Sequence, residues 1–113
     1  MTVLDVDLEV VMPRAFLYTE VYTSVPFGEF PWKSINPQLK EVPGLVSKTW
    51  LSGIGTNGIG GFYEFDSVEN ALAYATGDFA AATTQAGATA TTRIFDAEAV
   101  AEASTDLKSP FYS

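Results

Sequence analysis

The chain contains no cysteine and no histidine among its 113 residues. Without cysteine it can form neither a disulfide nor a thiolate metal site, and without histidine it lacks the imidazole ligands of zinc sites. The missing histidine also excludes a Ser–His–Asp triad and removes the usual general base near neutral pH. A cation site made of carboxylates alone stays open, but no segment has the spacing of a known ligand motif. We therefore expect no metal site.

Positive charge is also scarce. The chain has six Lys and Arg residues against 14 Asp and Glu, which gives a net charge of −8. Proteins that bind nucleic acid or anionic lipid use clustered cations, and the cations here are scattered. No apolar run approaches the length of a membrane span, and the acidic start of the chain is unlike a signal peptide. We expect a cytoplasmic protein that binds neither nucleic acids nor membranes.

Aromatic residues, by contrast, are abundant, since the chain has two Trp, five Tyr and eight Phe. Its length fits a single domain, and a domain of this size buries only about two-thirds of the surface of the unfolded chain. The aromatic surface therefore predicts either a subunit interface, which is the simpler interpretation, or a ligand pocket.

The pattern of residues divides the chain into three parts. In residues 1–14, apolar and acidic side chains alternate, which is typical of a half-buried strand, either at the edge of the sheet or on an arm that reaches a partner. Residues 15–104 form the folded domain. Residues 105–113 form a C-terminal tail, in which Phe111 and Tyr112 predict packing on the domain or on a partner.

Four strands are predicted in the folded domain from β-branched residues, period-two patterns and flanking turns. They cover residues 15–24, 45–52, 59–65 and 88–95. The short loop between the second and third strands makes them an antiparallel hairpin.

Helices are predicted after the first strand and after the third. Asn36 as N-cap and Pro37 at the first helical position predict a short helix over residues 37–42. A longer helix begins after Asp66, with a break at Gly77. A last short helix precedes the tail.

The resulting order of elements, strand–helix–strand–strand–helix–strand, is that of a ferredoxin-like α+β fold with a four-stranded antiparallel sheet. Its helices lie on one face of the sheet, so the bare face has to be covered by something else. A second copy, stacked sheet against sheet, would cover it. We therefore predict a homodimer.

The glycines Gly53, Gly55 and Gly58 have the spacing of the dinucleotide-binding fingerprint. That fingerprint places a pyrophosphate at the N-terminus of a helix that follows the glycines. Here a strand pattern follows instead, over residues 60–65. We interpret the glycines as a flexible hairpin loop, and a mobile lid over a pocket is the less favoured alternative.

Alternation along the predicted strands separates small and aliphatic side chains, which suit packing against helices, from a second set. This set mixes aromatic rings with opposite charges: Tyr18, Glu20, Tyr22, Lys48, Trp50, Glu64 and Arg93. It predicts either a cavity with polar groups among aromatic walls or a cross-strand ion-pair network of the four charged residues at the dimer interface. Both can hold at once.

Several segments resemble the YdhR-type monooxygenase family. The similar segments are PGLVSKTW at 43–50, GGFYEFDS at 60–67, ALAY at 71–74, RIFD at 93–96 and the turn PFG at 26–28. The resemblance covers roughly residues 16–97, and the order and spacing of the segments make it specific. The chain departs from the family pattern in its proline-interrupted first helix and in its added N-terminal strand, both of which alter the mouth of the pocket.

The resemblance implies a dimeric α/β barrel, akin to that of the antibiotic-biosynthesis monooxygenases. Members of that wider group oxidise aromatic substrates with O₂ and without metal or flavin, while others isomerise lactones, degrade haem or only bind ligands. We therefore expect a cofactor-free monooxygenase for an aromatic or polycyclic small molecule. The alternative is a non-catalytic small-molecule-binding dimer, or an isomerase, on the same scaffold.

An electron-rich phenolic substrate, once deprotonated, can itself reduce O₂, so the protein has to bind it, exclude water and stabilise an oxyanion. Lys48 or Arg93 would stabilise the negative charge, and Glu20 or Glu64 would accept the proton. Asn36 would donate a hydrogen bond. Aromatic side chains would form the walls of the pocket: Tyr18, Trp32, Trp50 and Phe62.

Overall fold

A computed structural model describes residues 13–23 and 27–112 of the chain. In this part, four strands form one antiparallel sheet: β1 (Ala15–Tyr22), β2 (Leu45–Ser52), β3 (Gly58–Phe65) and β4 (Thr89–Asp96). Their order across the sheet is β2-β3-β1-β4, which is the order that the predicted succession of elements requires. The alternating segment of the N-terminal extension falls outside the described residues.

In the same part of the chain, four α-helices accompany the sheet: α1 (Trp32–Leu39), α2 (Val68–Thr76), α3 (Asp78–Gln85) and α4 (Ala101–Asp106). A 3-10 helix at Phe27–Glu29 leads into α1. Together the sheet and helices confirm the predicted ferredoxin-like α+β fold. None of the helices described is both long enough and apolar enough to cross a membrane.

The prediction for the first helix was wrong, because α1 begins at Trp32 rather than after Asn36. Pro31 occupies the N-cap position, and its carbonyl accepts a hydrogen bond from the backbone N–H of Ile35 at 3.2 Å. Pro37 lies inside the helix. A proline inside a helix removes one backbone donor and crowds the carbonyl four residues earlier, which is why the sequence predicted a helix start here instead. Asn36 is therefore no cap, and its side chain belongs to the site described below.

The predicted break in the second helical region is confirmed at Gly77, which separates α2 from α3. A Cβ on Gly77 would lie 2.8 Å from the carbonyl oxygen of Ala73, so a side chain there would crowd the last turn of α2. The helix start differs by one residue, because the Ser67 hydroxyl caps α2 by accepting a hydrogen bond from the backbone N–H of Asn70 at 3.1 Å. The Asp66 carboxylate instead accepts a hydrogen bond from the Asn70 side chain at 2.8 Å.

The hydrophobic core lies between the sheet and α2. Its buried members come from β1, β3 and α2: Ala15, Leu17, Tyr63, Phe65, Ala71 and Ala75. Ala71 and Ala75 lie one helical turn apart on the same face of α2, so their small side chains let the helix approach the sheet closely.

The pairing of β2 with β3 decides which side chains of β2 face the helices. An irregularity in the register between Leu45 and Ser47 shifts the alternation of β2 by one residue. Lys48 therefore pairs with the buried Tyr63, and Trp50 follows on the same, helix-facing side. The predicted face for these two residues was wrong, because such a shift exchanges the two faces of a strand. It had grouped them with residues that in fact share the opposite face: Tyr18, Glu20, Glu64 and Arg93.

The opposite side of the sheet, which we call the open face, carries the alternate side chains of all four strands. The C-terminal tail covers one end of it, where the Phe111 ring lies 5.4 Å from the Phe16 ring and 5.2 Å from the Phe62 ring between centroids. Arg14 holds the tail there, because its guanidinium donates to the Phe111 carbonyl at 2.9 Å and pairs with Glu64 at 3.0 Å. The tail therefore packs on its own domain.

Candidate functional site

A pocket of about 130 Å³ opens between the sheet and the helices. Aromatic side chains make up much of its wall: Phe30, Trp50, Tyr63, Tyr74 and Phe79. Residues of α1 and α3 complete the wall, and the lining is almost entirely apolar. We call this cavity the inner pocket.

A second cavity of about 380 Å³, which we call the outer pocket, adjoins the first along β2. It is lined by side chains of α1 and the start of β2, including Asn36, Leu39 and Val46. Lys48 and Trp50 line both cavities. These two side chains therefore lie between the inner and the outer pocket.

The space for both side chains is created by a glycine on the neighbouring strand. A Cβ on Gly61 would lie 2.8 Å from the Cε of Lys48 and 2.8 Å from the Cε1 of Tyr63. Since real Cβ atoms do not approach other atoms so closely, any larger residue would displace the lysine stem or the tyrosine ring. The run of glycines in β3 thus lets an amine and a phenol ring pack together above the strand.

Lys48 is the ionisable group that faces the inner pocket most directly. Its Nζ lies 3.2 Å from the centroid of the Trp50 ring and 4.6 Å from that of the Tyr63 ring. Burial lowers the pKa of Lys48 to about 7, because the charged amine loses its water. Both ion pairs in the described part of the chain belong to Arg14, so no described carboxylate neutralises Lys48. Near neutral pH the amine can therefore both accept and hold a proton.

The Trp50 indole is fixed in place by its neighbours. Its Nε1 donates a hydrogen bond to the Asn36 Oδ1 at 3.0 Å, which ties β2 to α1. The Phe30 ring meets it edge-on, with 5.6 Å between the centroids. Because one face of the indole also carries the Lys48 amine, the ring has few orientations left.

Two tyrosines form the polar part of the inner pocket. The Tyr63 hydroxyl accepts a hydrogen bond from the Thr19 hydroxyl at 3.5 Å. Burial is the main cause that raises the pKa of Tyr63, and hydrogen bonds with Thr19 and Tyr74 lower it in part. Burial also raises the pKa of Tyr74, helped by its proximity to Tyr63. Both phenols therefore stay protonated at neutral pH.

Three of the site residues predicted from the sequence come together here: Lys48, Trp50 and Asn36. Five others lie on the open face, away from both pockets: Tyr18, Glu20, Phe62, Glu64 and Arg93. Trp32 stands at the start of α1, where its side chain is 38% exposed and lies 5.6 Å from the Nζ of Lys33. The structure thus brings together one part of the predicted site and separates the rest.

The predicted ion-pair network of Glu20, Glu64, Lys48 and Arg93 does not form in the described part of the chain. Its glutamates have other partners, because Glu64 pairs with Arg14 and Glu20 accepts a hydrogen bond from the Tyr18 hydroxyl at 2.8 Å. Among residues 13–23 and 27–112, no three acidic side chains gather closely enough to hold a metal ion.

The sequence-based prediction missed Tyr63, Tyr74 and Phe79, which form one side of the inner pocket. A usable signal was the pair Gly60 and Gly61 beside Tyr63, because glycine in a strand often marks a close approach of other groups.

A comparison with protein-family models adds to this geometry. The family described as "Putative mono-oxygenase ydhR" matches residues 18–108, a range that contains every residue lining the inner and outer pockets. None of the curated proteins matches the chain.

Proposed function

Because the chain belongs to the ydhR mono-oxygenase family, we propose that it oxidises a phenolic small molecule with O₂ in the inner pocket. The substrate itself supplies the electrons, so the reaction needs no bound cofactor. A phenol and O₂ give a quinone and one water, in which one oxygen atom enters the ring and the other leaves as water. The observation that carries the proposal is the Lys48 amine, placed among aromatic walls with its pKa near neutrality.

We propose two roles for Lys48, first as the proton acceptor and then as the cation that stabilises the phenolate. A free phenol has a pKa of about 10, so it reacts with O₂ only after a base has taken its proton. A neutral Lys48 amine accepts that proton, and the resulting ammonium then stays beside the phenolate and stabilises its charge. In an apolar pocket this attraction is stronger than in water. Lys48 alone can thus perform the two roles, proton acceptor and charge-stabilising cation, that the sequence analysis assigned to separate residues.

The roles predicted for Arg93, Glu20 and Glu64 receive less support from the structure, since the three side chains lie on the open face. The walls of the pocket exclude water from the charged intermediate, with Trp50 on one side and Tyr63 on the other. Asn36 contributes by orienting Trp50, because its Oδ1 accepts the indole hydrogen bond.

We propose a homodimer as the working form of the protein. Beyond the tail, the open face leaves large apolar side chains in solvent: Phe95 is 52% exposed, Tyr22 48% and Leu51 37%. A single layer of helices covers only one side of a sheet, and a second sheet is a common cover for the other side. A second copy of this chain, with the same open face, is the partner that the family resemblance favours.

The proposed oxidation is tested by following O₂ uptake with an oxygen electrode while a series of phenols is added to the purified protein. The protein is expected to consume O₂ with at least one of them, and Lys48→Met should lower the rate by about 10²-fold or more. Lys33→Met is the matched control, because Lys33 is exposed and lines neither pocket, and it should keep the wild-type rate.

The alternative functions give different results in the same experiment. A binding protein would retain the phenol and consume no O₂. An isomerase would convert its ligand without O₂. Either result would contradict the proposed oxidation.

A further inference from the structure

Trp50 lies between two pockets of unequal size, so its position should decide which substrates fit into the inner pocket. We infer that Trp50 limits the inner pocket to substrates with one aromatic ring, and that Asn36 is the positioning residue that holds Trp50 there. The inference rests on the proposed function for the phenolic nature of the substrate, but the size limit itself follows from the geometry of the pocket.

The volume of the inner pocket sets the size limit. An apolar cavity of about 150 Å³ in another protein accommodates benzene. The inner pocket, at about 130 Å³, is close to that size and has an apolar lining. One six-membered ring therefore fits between the sheet and α3. A fused second ring exceeds this volume, so a polycyclic substrate would have to extend past Trp50, and we expect the indole to disfavour it.

The space that a second ring would need lies beyond the indole. The outer pocket has a volume of about 380 Å³ and shares only Lys48 and Trp50 with the inner pocket. Lys48 is a flexible chain that can move aside, whereas the indole is a rigid plate. Removing the indole would therefore join the two cavities and leave the Lys48 amine at their junction.

The position of the indole depends on Asn36. The hydrogen bond from the Trp50 Nε1 to the Asn36 Oδ1 at 3.0 Å is its polar anchor to α1. The contacts with Phe30 and Lys48 also restrain the ring. Loss of the Asn36 oxygen should therefore let the Trp50 indole move more freely, while the indole still separates the inner from the outer pocket.

The test compares the binding of 4-methylphenol and 2-naphthol by isothermal titration calorimetry under nitrogen, so that no substrate is consumed. The wild-type protein should bind 4-methylphenol at least about tenfold more tightly than 2-naphthol. Trp50→Leu should reverse the preference. Trp32→Leu removes the other tryptophan, which lines neither pocket, and should keep the wild-type ratio.

Two substitutions at Asn36 test the positioning role and keep the inference falsifiable if Trp50→Leu does not fold. Asn36→Leu should reduce the preference for one ring by about threefold or more, whereas Asn36→Asp keeps an acceptor oxygen and should keep the preference. A merely structural role would change both affinities together and leave their ratio unaltered.

Several outcomes would overturn the size limit: equal affinity of the wild type for both phenols, no binding of either, or an unchanged ratio in Trp50→Leu and Asn36→Leu. A clear preference for one ring without any O₂ uptake would refute the proposed oxidation and leave the size limit standing.

Discussion

Lys48 places its Nζ 3.2 Å from the centroid of the Trp50 indole ring, on the side of the sheet that faces the helices. An ammonium over an indole face is attracted by the ring, while its burial disfavours the charge. The second effect prevails, since the pKa of Lys48 falls to about 7. The pair therefore combines an amine that titrates near neutral pH with a rigid aromatic wall.

The pH dependence of O₂ uptake tests the amine as a base. Because the pKa of Lys48 is lowered to about 7 by burial, the amine is neutral above that pH and protonated below it. We expect kcat/KM for a phenol that the protein oxidises to rise through pH 7 and to level off by about pH 8. Lys48→Arg, which stays charged, should lower kcat/KM by about 10²-fold, while Lys33→Arg should follow the wild type. A rate that is flat from about pH 6 to about pH 8 would refute the role of a base titrating there.

The burial of the Lys48 amine should also lower the free energy of unfolding. The unfolded chain holds the Lys48 proton up to its ordinary pKa of about 10.4, whereas the folded protein loses it near pH 7, so stability rises with pH between these values. Lys48→Met removes this cost and should raise the free energy of unfolding at pH 7 by up to about 4 kcal/mol. Urea unfolding should show the difference from the wild type shrinking as the pH approaches 10. A destabilised Lys48→Met at pH 7 would contradict the account.

Gly61→Ala tests the close packing above β3. The added methyl would lie 2.8 Å from both Lys48 and Tyr63, so we expect a loss of about 1–3 kcal/mol in the free energy of unfolding. The displaced lysine should also lower O₂ uptake. Gly28→Ala is the matched control, because its added methyl would meet nothing within 4 Å, and it should leave both quantities nearly unchanged. Equal effects of the two substitutions would argue against the crowding.

The proposed dimer is tested by sedimentation velocity. The wild type should sediment at twice the 12.1 kDa mass of the chain. Phe95→Asp places a charge on the exposed apolar side chain that the edge strand β4 presents on the open face, and it should yield monomers, because burying an unpaired charge is unfavourable. Ile54→Asp, at a loop residue that is 99% exposed, should leave the assembly unchanged. A monomeric wild type would contradict the proposal.

The fold could be predicted because its signals are local. The alternation in β1, the hairpin at Gly58 and the helix break at Gly77 each depend on residues close in sequence, and their order restricts the topology. The start of α1 could not be predicted as well, because Pro31 replaces the usual polar cap there and Pro37 is tolerated inside the helix.

The candidate site could be predicted only in part, for a geometric reason. Alternation sorts the residues of β2 into two sets, but it does not say which set is buried when one irregular residue shifts the register. The sequence analysis grouped Lys48 and Trp50 with the aromatic and charged side chains, away from the set that suits packing against helices. The irregularity before Ser47 reverses this for most of the strand, and Lys48 and Trp50 move from the predicted open face into the pocket.

The pKa of Lys48 is the quantity on which the whole account depends most directly. It can be measured by NMR titration of the protein labelled with ¹³C at the lysine Cε, with the Lys48 signal assigned from its absence in Lys48→Met. We predict that this signal titrates near pH 7 and that 4-methylphenol shifts it. A Lys48 signal that titrates near the value of about 10.4 of a free lysine side chain and does not respond to the phenol would contradict the account.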